Sequence, residues 1–344
     1  MNRNQANKAQ VLDYWAATDS ASVEDLAAVT ARYLPENFRW KGPAPLGEIK
    51  GPTALAEQVL IPLKQAIPDL TRQTHLFMGG QSVDHVGEDA RDAYWVAGSG
   101  YLNGTATGEF LGIPATERPL RIRWIEFIRF SGDEMVESQL IYDFVDWFEQ
   151  VGMPVLPPSR GIAHVYPAAT GFDSVLRDAQ PAQDTELTLQ LGHKLLYGGL
   201  NGFDQDNLSS MGMADYFHPN LKWYGPGGIG ACLSFSEFEQ WHQQPWLVAF
   251  PDRKVVGLES LFAEGRLLAC SGVAGVRATH TGPYLGQPAT GASLEISGID
   301  FWLRSGEQFT ENWVFVDMID LFAQMGIDLF ARMASLRDRN GSRG

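Results

Sequence analysis

Two acidic residues in this chain sit on strand faces that are otherwise apolar. In Pro119-Leu-Arg-Ile-Arg-Trp-Ile-Glu-Phe-Ile-Arg129, alternate side chains of a strand share a face. Glu126 therefore falls with Leu120, Ile122, Trp124 and Ile128, while Arg121, Arg123 and Arg129 take the opposite face. Asp300 repeats the arrangement further on (300 − 126 = 174), sharing a face with Leu294, Ile296, Gly298 and Trp302. A carboxyl group among aliphatic side chains and an indole is desolvated, which raises its pKa toward values useful for proton transfer. Glu126 and Asp300 are the candidate general acids or bases. The alternative is a buried carboxylate neutralised by an Arg or Tyr of a neighbouring strand.

That repetition runs through the whole chain. Tyr33, Asn37, Trp40, Gly42 and Pro43 recur as Tyr216, Asn220, Trp223, Gly225 and Pro226, each displaced by 216 − 33 = 183. The run TGEFLGIPAT starting at Thr107 returns as TGPYLGQPAT starting at Thr281, displaced by 281 − 107 = 174, as do Asp143 and Asp146 in Asp317 and Asp320. A period this long exceeds the roughly 20 to 50 residues of solenoid repeats, so a whole domain is duplicated. The expected division is 1–152 and 184–335 for the two copies, 153–183 for a proline-rich strap and 336–344 for a disordered tail.

The elements that must position the two acids follow from pattern. Residues 6–17, 23–33 and 53–67 read as helices, the last led by Gly51-Pro52 and stopped by Pro68. Alternation at 71–78, 93–106, 119–130 and 135–144 reads as strands. Helices first and an antiparallel meander afterwards is an α+β arrangement, helices covering one face of a sheet. Lining candidates on this layout are Trp124 and Trp302 beside the acids, Trp40 and Trp223 as core walls edging the cavity, and Asn312 on the last strand. His75 is expected to share a face with Thr71, Gln73 and Phe77.

Composition narrows the function classes. The 344 residues carry 26 basic and 41 acidic side chains, a net charge of −15, with no basic run. Nucleic acid is excluded as an expected partner, since phosphate binding needs clustered Lys and Arg. No apolar stretch approaches the roughly 18 residues that span a bilayer, and the opening MNRNQANKAQ shows no secretory pattern. With only two cysteines, Cys232 and Cys270, a reduced cytoplasm is the expected setting. Phosphate-binding glycine loops, G-x-S-x-G elbows, H-E-x-x-H and C-x-x-C spacings are all missing, so neither metal nor cofactor is implied.

W-x-G-P near the first strand, Pro-Asp after the helix, T-G-x-x-L-G-x-P-A-T in a hairpin and a closing D-x-x-D helix occur twice in the same order. That order resembles the SnoaL-like polyketide cyclase family of the nuclear transport factor 2-like superfamily. The resemblance implies two tandem cones, each a curved, mostly antiparallel sheet roofed by helices around a pocket, packed together as an internal pseudo-dimer. It implies pocket-lining roles for Tyr14 and Tyr197 on the first helix of each copy and for His280 before Thr281-Gly282. It also implies an acid/base Asp on the last long strand, where this chain has Leu140 and Val314 instead. Acid/base work then passes to Glu126 and Asp300, at positions where such cyclases place a pocket histidine.

The expectation is a cofactor-independent enzyme of lyase, isomerase or cyclase type, acting on a small, largely apolar carbonyl or hydroxylated molecule. Two other readings stay open: a non-catalytic small-molecule binder, and one active half with a degenerate partner. Association of further copies is likewise left open.

Overall fold

In the computed structural model, which describes residues 2–84, 93–204, 207 and 209–341, the duplication becomes two lobes of one topology. In the first, α1 (Arg3–Ser20) starts at Asn2, whose side chain accepts from Gln5 N at 3.0 Å, and α2 (Leu26–Tyr33) follows. After the short strands β1 (Arg39–Lys41) and β2 (Glu48–Lys50), a third helical run comprises α3 (Pro52–Leu55), a π turn (Ala56–Leu60) and α4 (Ile61–Ala66). Gly51, at φ +84°, and Pro52 launch that run. Then come β3 (Thr71–Gln81), β4 (Tyr94–Thr105), β5 (Pro119–Ser131), β6 (Glu134–Tyr142) and α5 (Phe144–Gln150). The sheet order is β2-β1-β6-β5-β4-β3, antiparallel except for β1 beside β6.

The second lobe repeats this with α6 (Ala182–His193), a π turn (Lys194–Gly199), α7 (Met213–Tyr216), β7 (Phe217–Tyr224) and β8 (Ala231–Cys232). Its roof is α8 (Phe235–Phe238), a π turn (Glu239–Gln243) and α9 (Gln244–Ala249), and β9 (Lys254–Val255) follows. Strands β10 (Ser260–Glu264), β11 (Leu267–Thr279), β12 (Ser293–Ser305) and β13 (Gln308–Val316) lead to α10 (Met318–Gln324) and α11 (Leu329–Gly341). Its sheet runs β10-β11-β12-β13-β7-β8, with β13 and β7 the parallel pair. The roof π turns match at the displacement of the sequence repeat, 239 − 56 = 183. Helix α11 runs into the segment expected to be a disordered tail. Arg337 anchors it by donating to Gly112 O at 3.1 Å and to Glu109 at 3.2 Å.

Alternation along the strands divides two cores. Phe77, Val96, Trp124 and Ile128 face the helices, whereas Leu76, Met78, Ala97, Ile125 and Phe127 turn outward. The outward faces of the two sheets pack on each other, with Phe127 ring centres 5.7 Å from Phe262 and 5.5 Å from Phe301. The second lobe contributes Tyr224, Phe262, Phe301, Trp313 and Phe315 to this layer; the first contributes Trp95, Tyr101 and Phe127. The strap adds Tyr166, whose ring lies 5.3 Å from Phe315 and whose hydroxyl bonds Ser99 at 2.9 Å. Two bonds cross the junction in mirror fashion: Asp143 accepts from Gly227 N at 2.8 Å, and Asp317 from Ala44 N at 2.9 Å. Those donors are themselves repeats, 227 − 44 = 183.

One face assignment changes. A bulge between Thr74 and Leu76 breaks the alternation of β3, so His75 does not share the inner face of Phe77. Its ring packs edge-on against Tyr101 at 5.4 Å, on the strap side of the sheet.

Candidate active site

The two lobes carry the same scaffold but fill it differently. In the second lobe a cavity of about 190 Å³ opens between the sheet and the helices. Strand register makes the comparison position by position. Glu126 lies opposite Gly98 and Leu140; Asp300 lies opposite Cys270 and Val314. By the same register Trp124 corresponds to Gly298, Ser138 to Asn312 and Tyr142 to Val316.

On the first helix, the buried residues Tyr14, Trp15 and Thr18 of α1 match the buried Leu195, Leu196 and Gly199, displaced by 195 − 14 = 181. Two indoles and two phenols in the first lobe thus give way to two leucines, a glycine and a valine. That exchange is what leaves the second lobe hollow. A Cβ on Gly298 would meet nothing closer than Phe315 O at 3.6 Å.

Glu126 is buried and fully engaged. Trp15 Nε1 donates to its Oε2 at 2.8 Å and Ser138 Oγ to its Oε1 at 2.7 Å. Burial raises its pKa, and the nearby Arg72 guanidinium with these two donors opposes the rise. Arg72 is itself held bidentately by Asp19 at 2.9 and 3.1 Å and lies over the Trp15 and Trp124 rings. Trp15 and Trp124 meet edge to face at 5.2 Å, and Gly98 is glycine because a Cβ there would come within 2.5 Å of the Trp15 ring. Tyr14 and Trp40 are buried in the same packing. Around Glu126 the space expected to be a cavity is occupied by Trp15.

Asp300 has a different environment. It lines the cavity together with Cys270, Gly298, Trp302, Asn312 and Val314. Burial pushes its pKa up to about 8, partly offset by a hydrogen bond from the Asn312 side chain. Asn312 also donates to Phe301 O at 2.9 Å, which fixes its amide. At the helical end His242 stacks on Trp223, ring centres 4.0 Å apart, and burial with the nearby Arg253 charge lowers its pKa to about 3. His242 is therefore a neutral imidazole at any ordinary pH.

Of the residues singled out from sequence, Asp300, Trp223, Trp302 and Asn312 come together around this cavity. Two others do not. Tyr197 packs at a tilt against His193, ring centres 5.0 Å apart, and bonds the Asp84 carboxylate of the first lobe, because the buried helix positions match at 181 rather than 183. His280 is buried beside Phe250 and hydrogen-bonded to Thr290 Oγ1 at 2.9 Å, outside the cavity lining. His242, Gln243, Trp246 and Arg253 line the cavity and were not anticipated. The spacing of Phe238, His242 and Trp246, four apart on a helical run, was the available signal for the first and third. Among the described residues no three His, Cys, Asp or Glu side chains gather as a metal site, and no helix is long and apolar enough to cross a membrane.

An α+β cone with a half-buried acid lining a roofed, largely apolar cavity defines the class, and comparison supplies the family. The model of the SnoaL-like polyketide cyclases matches residues 12–151 and 205–325, once per lobe. The chain belongs to the SnoaL-like polyketide cyclase family, as two tandem copies. Among solved structures, it is similar to a protein of Jannaschia sp. CCS1 assigned as a SnoaL-like polyketide cyclase, at 16% identity over 43% of this chain and 97% of that one, TM-score 0.35. It is also similar to IdmH of Streptomyces antibioticus, assigned as a polyketide cyclase, at 20% identity over 40% of this chain and 99% of that one, TM-score 0.32. A third, from Acidithiobacillus ferrooxidans and also assigned as a polyketide cyclase, is 22% identical over 41% of this chain and 92% of that one, TM-score 0.32. No curated protein matches by sequence.

Proposed function

We propose that the chain is a cofactor-independent enzyme of cyclase or isomerase type whose second lobe acts on a small, largely apolar carbonyl compound, with Asp300 as the proton-transferring group. The observation that carries this reading is Asp300 itself, a carboxyl of pKa about 8 facing an apolar cavity. A pKa near the working pH gives a useful population of base together with a strong driving force for proton transfer. Ionised Asp300 removes a proton from the carbon beside a substrate carbonyl, and the electron pair moves into an enolate. The resulting carboxylic acid returns the proton to another carbon, or the enolate carbon attacks a second carbonyl to close a ring and the carboxylic acid protonates the alkoxide that forms; either way the carboxylate is restored. The first lobe, its interior filled by Trp15, Trp124 and Tyr142, serves as the pseudo-dimer partner that buries the outer sheet face.

The test is proton exchange. The α-hydrogens of 2-tetralone, used as a probe ketone, should exchange with D2O faster in the presence of the protein. Asp300→Asn should lower that rate on the order of a hundredfold. An unchanged rate in folded Asp300→Asn would leave the cavity as a binding site without chemistry.

A further inference from the structure

The second lobe's cavity contains a cation that no carboxylate of the described chain matches. Arg253 is 6% exposed and lines the cavity. Its Nη1 donates to Leu200 O at 3.1 Å, its Nη2 contacts the Met211 sulfur at 2.6 Å, and its guanidinium carbon lies 5.4 Å from the Phe203 ring centre. Among the described residues the other buried Lys and Arg side chains are all paired. Lys8 meets Glu264 at 2.6 Å, Arg123 meets Asp143 at 3.3 Å and Asp146 at 3.2 Å, and Arg304 meets Asp184 at 2.6 Å. Burial alone acts on Arg253 and lowers its pKa to about 10, with no anion opposing the shift.

An enclosed charge is normally paired, because desolvation is costly. A guanidinium has five donors in a planar fork, and here a carbonyl and a weakly accepting thioether engage two of its nitrogens. The first lobe has Leu70 at the corresponding place (253 − 183 = 70), so the charge accompanies the lobe that is hollow. Asp300 does not supply the missing anion. With its pKa pushed up to about 8 it is largely protonated at neutral pH, and no ion pair or hydrogen bond joins it to Arg253 among the described residues.

We infer that the cavity takes substrates bearing one carboxylate, clamped by the Arg253 fork, with their apolar body along Trp223, Trp246 and Leu247 and their reacting carbon at Asp300. The inference rests on the proposed reading of this cavity as the substrate site. Bidentate geometry suits a planar carboxylate. Arg253 is the one cation of a lining whose other polar groups are the neutral His242, Gln243 and Asn312 and the acid Asp300, which matches a monoanion and would leave a phosphate dianion half-neutralised. In a chain of net charge −15, a carboxylate ligand gains nothing from the overall field, so a preference for it has to arise locally.

The test compares two probes of similar shape by titration calorimetry, 2-naphthoate and the neutral 2-acetylnaphthalene. The unaltered protein should bind 2-naphthoate at least about tenfold more tightly. Arg253→Met should abolish that preference while changing 2-acetylnaphthalene affinity less than about threefold, which also reports that the cavity is intact. Arg253→Lys, which keeps the charge without the fork, should retain part of the preference. Asp300→Asn should retain all of it, so this inference and the proton-transfer reading fail separately. A 2-naphthoate affinity no greater than that for 2-acetylnaphthalene in the unaltered protein overturns the inference. So does a preference that survives in Arg253→Met.

Discussion

Trp15 Nε1 donates to Glu126 Oε2 at 2.8 Å, whereas Leu196, which takes the place of Trp15 in the second lobe, offers Asp300 no donor at all. The same indole closes the space above the first carboxylate and satisfies it; its loss opens the second lobe and leaves Asp300 facing a cavity.

Glu126 should therefore matter to stability and not to turnover. Glu126→Ala strands the Trp15 and Ser138 donors in a buried site and should lower unfolding free energy by about 1–3 kcal/mol. Urea denaturation would show this. The exchange rate with 2-tetralone should stay within about twofold of the unaltered protein. A tenfold drop in exchange with the fold intact would return Glu126 to the catalytic role first read from its strand.

For Asp300 the pH dependence has a definite sign. Its folded pKa, about 8, lies above the unfolded carboxyl value near 3.8. Between those values the folded state holds a proton that the unfolded state has released, so this group's contribution falls as pH rises from about 4 to about 8. Asp300→Asn should accordingly gain stability relative to the unaltered protein across that window and show a constant difference above it. Exchange activity of the unaltered protein should rise with pH and level off above about 8, following the ionised fraction. A flat stability difference between pH 4 and 8 would contradict the raised pKa.

Refilling the cavity should switch the second lobe off without unfolding it. Gly298→Trp restores the residue type that Trp124 provides at the equivalent register, and a Cβ at Gly298, which lines the cavity, would make only ordinary contacts at 3.6 Å or more. Binding of 2-acetylnaphthalene should become undetectable by calorimetry and thermal stability should hold or rise. Persistent binding in a well-folded variant would mean that ligands enter elsewhere.

The junction of the lobes should be sensitive at Arg123. This buried residue joins Asp143 and Asp146 of its own lobe to Gly225 O of the other at 3.0 Å. Arg123→Met leaves the enclosed Asp143 without a counter-ion and Asp146 with His164 alone, 2.7 Å away, and should cost about 3–5 kcal/mol in denaturant unfolding. A loss below about 1 kcal/mol would show that water reaches the pair and replaces the guanidinium.

Much of this architecture was legible in the sequence because it depends on repeated patterns: duplicated W-x-G-P turns, strand alternation and the paired D-x-x-D helices. The alternation also put Glu126 and Asp300 on the helix-facing side correctly. What stayed hidden came from single-residue irregularities. A bulge at His75 turned that ring to the strap side, and another between Gly272 and Val276 shifted β11 against β4. A π turn at Lys194–Gly199 accompanies the two-residue offset that separates Tyr197 from the Tyr14 position. The hollow itself depends on Trp15 against Leu196 and Trp124 against Gly298, a comparison that needs the true register before it can be made. Arg253 had a weaker signal, a charge where the other copy has leucine.

The serine opposite in pseudo-symmetry to Arg123 has a wider consequence. In a dimer of identical subunits, whatever stands on one side of the axis must stand on the other, so a residue good for the seam and bad for the pocket is imposed twice. Here position 297, the counterpart of Arg123 (297 − 123 = 174), is Ser, and Asp317 beside it relies on Ala44 N while burial lifts its pKa to about 6. Joining the two lobes in one polypeptide removes the mirror constraint. One lobe is then free to become solid masonry and the other a vessel, in permanent one-to-one ratio and with no risk of assembling two walls or two hollows.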